Sequence, residues 1–309
     1  MSVKDYWNKL NVLFGASVGI VISKTSEPYR CHTAIRDFVV ATNQQRKEQN
    51  KPAYEYRLWT STYGFSKFDL ENLNAQPIPD ESTTDPFLAL NQIHAVGGPG
   101  VYKDGVFTMM FPHYFFSPEE GKVSNPLITQ RLLEYARDFT DAQVRKRLIL
   151  IMPPHFTLPA ELQDSVAILD FDTPTVEELQ PIYEEVVGSL DVSRQPRYSE
   201  AEIDRILSLG AGMTSSEFEN ACSRALVQER AKLPNLPIDD LCTHIASVKT
   251  EVVKRSEVLE LLENVDMSQV GGLDALKEWV NDLRYSFSKE AREFGVDAPK
   301  GCAVVGPSP

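Results

Sequence analysis

Few residue groupings in this 309-residue chain could carry chemistry, and spacing decides among them. Gly97-Gly98-Pro99-Gly100 has enough glycine to let backbone approach a phosphate. Asp104-Gly105 and a strand-forming run follow it, however, whereas a phosphate loop opens a helix, so the cluster reads as a hairpin or flexible loop. Five histidines (His32, His94, His113, His155, His244) could bind metal or move protons. None stands in HxxxH or HExxH spacing, so any metal site would need assembly in space. His113, near a strand end, is the best placed of them to meet a ligand. Adjacent acids at Glu119-Glu120, Glu177-Glu178, Glu184-Glu185 and Asp239-Asp240 suggest acid-base work. Neighbours on a helix point to different sides, so they read as solvated faces and first-turn charges. Cys31, Cys222, Cys242 and Cys302 lie too far apart for a CxxC zinc pattern and too sparsely for a secreted scaffold, which fits reduced thiols. With no G-x-S-x-G elbow either, the spacing points to no catalytic residue and no metal ligand.

Tyr54, Tyr56, Trp59, Tyr63, Phe65 and Phe68 crowd one region with Arg57 and Lys67. Interleaved aromatic and basic residues can stack bases. Because the same residues form a strand, sheet packing is the first reading and a protein-partner surface the second. Charge points the same way, since 44 acidic against 31 basic side chains leave a formal charge of −13. That field repels phosphate-rich duplexes and anionic membranes and leaves room only for a local basic patch. The most apolar early stretch, Val12 to Ile22, is broken by Gly15, Ser17 and Gly19 and is far shorter than the ~20 residues a bilayer needs. It reads as a core strand, and the mixed charges before it do not make a signal peptide.

The elements that must position these residues follow from periodicity. Runs at 18–22, 54–59, 106–111 and 148–152 are rich in strand formers and nearly continuous in apolar side chains, as in a parallel sheet buried on both faces. Tyr29 to Asn43 and Leu127 to Phe139 between them carry helical spacing. Glu71 to Pro86 reads as an exposed loop. After Gly188 a polar linker leads into helical periodicity. Capping boxes at Ser199/Glu202 and Thr214/Glu217 start helices over 199–209 and 215–228, and a longer helix runs from Ile238 to about Leu262 after Pro234 and Pro237. A last segment places Gly271-Gly272 before an amphipathic helix, Leu273 to Phe294, with Leu276, Val280, Leu283 and Phe287 on one stripe. It ends in Pro299-Lys300-Gly301 and a short apolar strand running into Gly306-Pro307. The fold class expected is α/β, a parallel-sheet domain followed by an all-helical subdomain.

The GGL turn, helix, "PKG", apolar strand and "GP" resemble the opening of the ATPase module of the AAA+ family. The whole chain resembles the branch of that family encoded as a conserved reading frame in cyanobacterial and chloroplast genomes. The likeness is strongest in "KRSEVLELLENVDMSQVGGLDALKEWV…APKGCAVVGP". It is moderate in "RLILIMPPHFTLPAELQDSVAILDFDTPTVEEL" and "LGAGMTSSEFENACSRAL", which are similar to a sensor strand with the strand entering the lid, and to a lid helix pair. Residues 1–120 match in strand order only.

The resemblance implies a degenerate P-loop, AAA-like domain over 1–187, a helical lid-like subdomain over 188–263, and over 264–309 the linker, helix and first strand of an active module. The chain as given would stop inside the Walker A motif. Gln269, Val270 and Gly271 would lie beside adenine, and Gly306 and Pro307 would begin the phosphate loop. ATP and Mg²⁺ would be cofactors of the full-length protein, with none expected on this chain, which is expected to be inactive. Protein partners or substrates, self-association into a ring and a cytoplasmic or stromal location are implied too, with no membrane role. In the first domain the strand ending at Ile22 leads into Ser23-Lys24-Thr25-Ser26-Glu27-Pro28. That turn has no glycine and puts an acid where an anion should bind, so it should not hold ATP. The third strand ends Met110-Phe111-Pro112-His113, where a hydrolysing sheet would carry a carboxylate for Mg²⁺. Two further readings stay open: a stand-alone interaction module on an inactive ATPase scaffold, and a nucleotide site of unusual chemistry in the first sheet.

Overall fold

The computed structural model describes residues 2–94, 102–116, 125–138, 145–254, 271–287, 291 and 294–295. The chain forms two compact units, Met1–Val252 and Val253–Pro309.

In the first unit α1 (Val3–Gly15) precedes β1 (Ile20–Lys24), α2 (Pro28–Glu48), β2 (Glu55–Thr60), β3 (Gly64–Lys67), β4 (Ile78–Asp80) and α3 (Pro86–Ile93). Next come β5 (Gly105–Met110), the short α4 (His113–Phe116), α5 (Pro126–Asp138), β6 (Lys146–Met152) and β7 (Ala167–Asp170). The helices α6 (Val176–Gly188), α7 (Glu200–Gly210), α8 (Ser215–Gln228) and α9 (Ile238–Lys254) complete it.

The sheet runs β4-β3-β2-β5-β6-β1-β7. β2, β5, β6, β1 and β7 are parallel, and β3 and β4 extend the β2 edge antiparallel. Alternation splits each strand between two cores. Ile20, Ile22, Leu148, Leu150 and Met152 face α3 and α5, while Val21, Ile149 and Ile151 face α1 and α2. The result is the three-layer α/β arrangement expected of strands apolar on both faces. A third core unites α6 with α7, α8 and α9 around Leu179, Ile206, Phe218 and Ile245.

Two expectations are corrected. Val12 to Ile22 is not one strand: Ser2 caps α1 in a box with Asp5, the helix runs through Gly15, and only Ile20 onward joins the sheet. Glu71 to Pro86 is not wholly loop, since Ile78–Asp80 forms an edge strand and the Thr83 hydroxyl accepts the Phe65 N–H at 2.7 Å. Tyr56, Trp59 and Phe65 are fully buried, and Arg57 stacks on Tyr102, so the aromatic-basic cluster is mainly sheet packing, with Tyr63 exposed. The boxes at Ser199 and Thr214 form and start α7 and α8. Gly97 to Gly100 lies outside the described residues.

In the second unit α10 (Asp274–Leu283) passes into a 3-10 turn, Arg284–Phe287. It starts four residues after Val270 on a left-handed backbone at Gly272 and Leu273. Of the stretch to Phe294 that the spacing assigns to this helix, residues 288–290 and 292–293 lie outside the described residues.

Candidate functional site

The connection out of β1 crosses towards β2, whereas the one out of β6 passes over β1 to β7. The carboxyl end of β1 is thus the point where strand order reverses, the position at which open α/β sheets take ligands. The turn there is built from the strand outward. Thr25 N–H donates to the Met152 carbonyl at 2.9 Å, Glu27 N–H to the Thr25 hydroxyl at 2.9 Å, and Pro28 fixes the first helical φ of α2. Glu27 makes no side-chain cap to its own helix. Its carboxylate turns across the cleft.

Glu27 is only 6% exposed, and one carboxylate oxygen accepts from Arg30 at 2.8 Å while the other accepts the Ser215 N–H at the start of α8. Arg30 also donates to the Asp172 carbonyl and to Glu178 in the first turn of α6, and its guanidinium lies 4.7 Å from the centre of the Phe171 ring. Glu178 further accepts the Thr175 N–H at 3.0 Å and, on its other oxygen, the Val3 N–H of α1 at 2.8 Å. Two carboxylates and one guanidinium therefore meet the N-termini of α1, α6 and α8. Free N–H groups and the positive ends of the helix dipoles offset the surplus negative charge.

Beneath this cluster the Tyr6 hydroxyl meets Ser23 Oγ, and the Tyr6 ring stands edge-on to Phe171. Burial pushes the Tyr6 hydroxyl well above its ordinary range and the Cys31 thiol up to about 12. Neither can serve as a nucleophile near neutral pH. Past the end of β5, two strands away from β1, stand Phe111, at φ 51°, and His113, whose Nδ1 is buried without a partner. Desolvation, reinforced by His155, holds His113 below the usual imidazole range. Met110 closes β5, so no carboxylate stands there to organise Mg²⁺. Among the described residues no three His, Cys, Asp or Glu side chains group as a metal site.

The lining of this cleft differs from that of a phosphate loop. The turn lacks the glycines that would let N–H groups converge on phosphate, and a buried carboxylate already takes the helix N-terminus and the arginine. Glu27 is legible in the sequence as a misplaced acid. Glu178 is not a solvated first-turn charge as its pairing with Glu177 suggests: Glu177 is exposed, while Glu178 is half-buried and central. Its signal is a further capping box, Thr175-x-x-Glu178. Of the residues the resemblance places at a nucleotide, Gln269, Val270, Gly306 and Pro307 lie outside the described residues, and Gly271 is exposed just before α10.

No described helix is long and apolar enough to cross a membrane. Among relatives, the AAA domain-containing protein ycf46 of Trieres chinensis is 25% identical over 190 residues, which cover 57% of this chain and 36% of that protein. The ycf46 protein of Guillardia theta is 28% identical over 163 residues, 52% of this chain and 30% of that one. That of Pyropia yezoensis is 22% identical over 304 residues, 98% and 54%. The chain thus spans about half or less of the curated relatives it matches. Of solved structures, the FIGL-1 AAA domain covers 91% of this chain, with 83% of its own length matched, at 14% identity and a TM-score of 0.46. The E. coli MS115-1 HORMA:CdnC:Trip13 complex covers 78%, with 77% of that chain matched, at 9% identity and a TM-score of 0.48. The family model for the SpoVK-like AAA ATPase N-terminal domain matches residues 7–171, more than half of the sequence, and the chain belongs to that family.

Proposed function

We propose that this chain is the N-terminal regulatory and partner-binding region of an AAA+ ATP-hydrolysing remodelling protein and that its first sheet is an ATPase scaffold without a nucleotide site. The observation that carries the reading is Glu27: the turn after β1 presents a buried carboxylate, paired with Arg30, where a nucleotide-binding sheet presents glycine N–H groups. In this reading residues 1–187 are the degenerate domain, 188–263 the lid-like subdomain and 264–309 the lead into an active module. Gln269, Val270 and Gly271 would contact adenine there, and Gly306 and Pro307 would begin the loop that holds ATP with Mg²⁺. Ring assembly, a protein substrate and a cytoplasmic or stromal location belong to the whole protein.

The experiment is titration calorimetry of Mg²⁺-ATP into the 309-residue chain. The expected result is no saturable heat. Saturable binding of Mg²⁺-ATP to the parent chain would overturn the reading.

A further inference from the structure

The cleft at the end of β1 is empty of glycine but not of ligand-like contacts. A bound anion at a switch point would be held by a helix N-terminus and a basic side chain. Glu27 is held by those two: the Ser215 N–H of α8 on one oxygen and Arg30 on the other. Glu178 repeats the pattern with the Val3 N–H of α1, the Thr175 N–H of α6 and the same arginine. The contacts span the sheet layer and the helical bundle, with 188 residues of chain between Glu27 and Ser215 and 175 between Val3 and Glu178. All lie within the one compact unit Met1–Val252. Arg30 is the shared centre, and its side chain is 17% exposed against 4% for Glu27 and 24% for Glu178. Solvent therefore screens these charges weakly.

We propose that Glu27, supported by Glu178 through Arg30, is a built-in ligand of this cleft: a tethered carboxylate that latches the helical bundle onto the sheet as an external anion would. Closure of the bundle is then a fixed property of the fold and does not follow nucleotide. The inference rests on the reading of the first sheet as a site that takes no ATP and deepens it by naming what occupies the cleft. It assigns positioning roles to Glu27, Arg30 and Glu178. It also defines the space left by shortening Glu27 as a small-carboxylate site, because the donors that held the side chain stay in place.

The test is amide hydrogen exchange on the full 309-residue chain with Glu27→Ala and, as the variant that keeps side-chain shape, Glu27→Gln. Glu27→Ala is expected to speed exchange at least about tenfold in peptides covering 213–222 and 2–8, with 146–152 and 238–250 unchanged. Formate at ~100 mM, small enough to enter the vacated space, is expected to slow the accelerated peptides again, and acetate less so. Glu27→Gln, which can still accept the Ser215 N–H but loses the ion pair, is expected to fall between. The latch is overturned if both variants exchange like the parent. It is overturned equally if both accelerate every peptide alike and formate restores nothing, since the carboxylate would then be mere packing. Addition of Mg²⁺-ATP to the parent separates the two readings. Nucleotide-dependent slowing at 213–222 would refute the absence of a nucleotide site, whereas formate rescue of Glu27→Ala reports on the latch alone.

Discussion

Arg30 and Glu178, 148 positions apart in the chain, meet at 2.5 Å in a pocket that exposes only 17% and 24% of their side chains. The guanidinium also serves Glu27 and the Asp172 carbonyl, so its removal strips the cation from two carboxylates at once. Arg30→Ala is expected to cost roughly 2–4 kcal/mol, somewhat less than the ~3–5 kcal/mol of stripping one partner from a fully buried pair because these side chains keep some exposure. Arg30→Lys should cost less but measurably. The donors of an ammonium radiate from one nitrogen, whereas Arg30 reaches Glu27 and the Asp172 carbonyl from one guanidinium nitrogen and Glu178 from another, with its planar group over Phe171. Urea unfolding followed by intrinsic fluorescence checks this, and an Arg30→Ala midpoint equal to the parent's would refute it.

A second pair answers to pH. His32 Nδ1 lies 2.7 Å from the Tyr56 hydroxyl, with the rings stacked at an interplanar angle of 15°. Burial, reinforced by Arg36, lowers the imidazole from 6.5 to about 4. Between those values the unfolded chain takes up a proton that the folded chain refuses. Stability therefore falls as pH drops through about 6.5 towards 4, by about 3 kcal/mol at the acid end. His32→Gln, which keeps a polar group opposite Tyr56 but does not titrate, should flatten that slope. Melting temperatures of the two proteins from pH 7 to 4 decide it, and parallel curves would contradict the assignment.

How much of this was legible beforehand depends on how local each signal is. The parallel strands were readable because burial on both faces writes continuous apolar runs such as 148–152, and α8 was readable because Thr214 and Glu217 cap it locally. α1 was obscured because Val12 and Leu13 at its end adjoin the apolar start of β1, and Ser2 and Asp5, which set its start, are an inconspicuous pair. β4 carries three residues, including Pro79, and takes its place from pairing with β3 rather than from its own pattern. The candidate site divides in the same way. Glu27 could be flagged because one strand-turn-helix is a local unit, whereas its partners Ser215 and Glu178 are brought in by tertiary structure. Arg30, two residues past Pro28, reads as an ordinary first-turn cation until Glu178 is seen beside it.

The helical bundle offers a test of its packing that is independent of charge. Gly210 ends α7 where a Cβ would stand 2.5 Å from Phe218 Cδ2 and 3.0 Å from Leu179 Cδ1, and Phe218 is wholly buried. Gly188 ends α6 in the equivalent position, yet a Cβ there would meet nothing within 4 Å. Alanine at either site gains up to about 1 kcal/mol of helix propensity over glycine. At Gly210 the close-packed ring has no room to yield, so overpacking of roughly 1–3 kcal/mol should exceed that gain. Gly210→Ala is therefore expected to lower the melting temperature of the 309-residue chain, and Gly188→Ala to leave it unchanged or raise it. Circular dichroism at the helical minimum reads both, and the opposite order of the two variants would show that α7 does not press its last turn against Phe218.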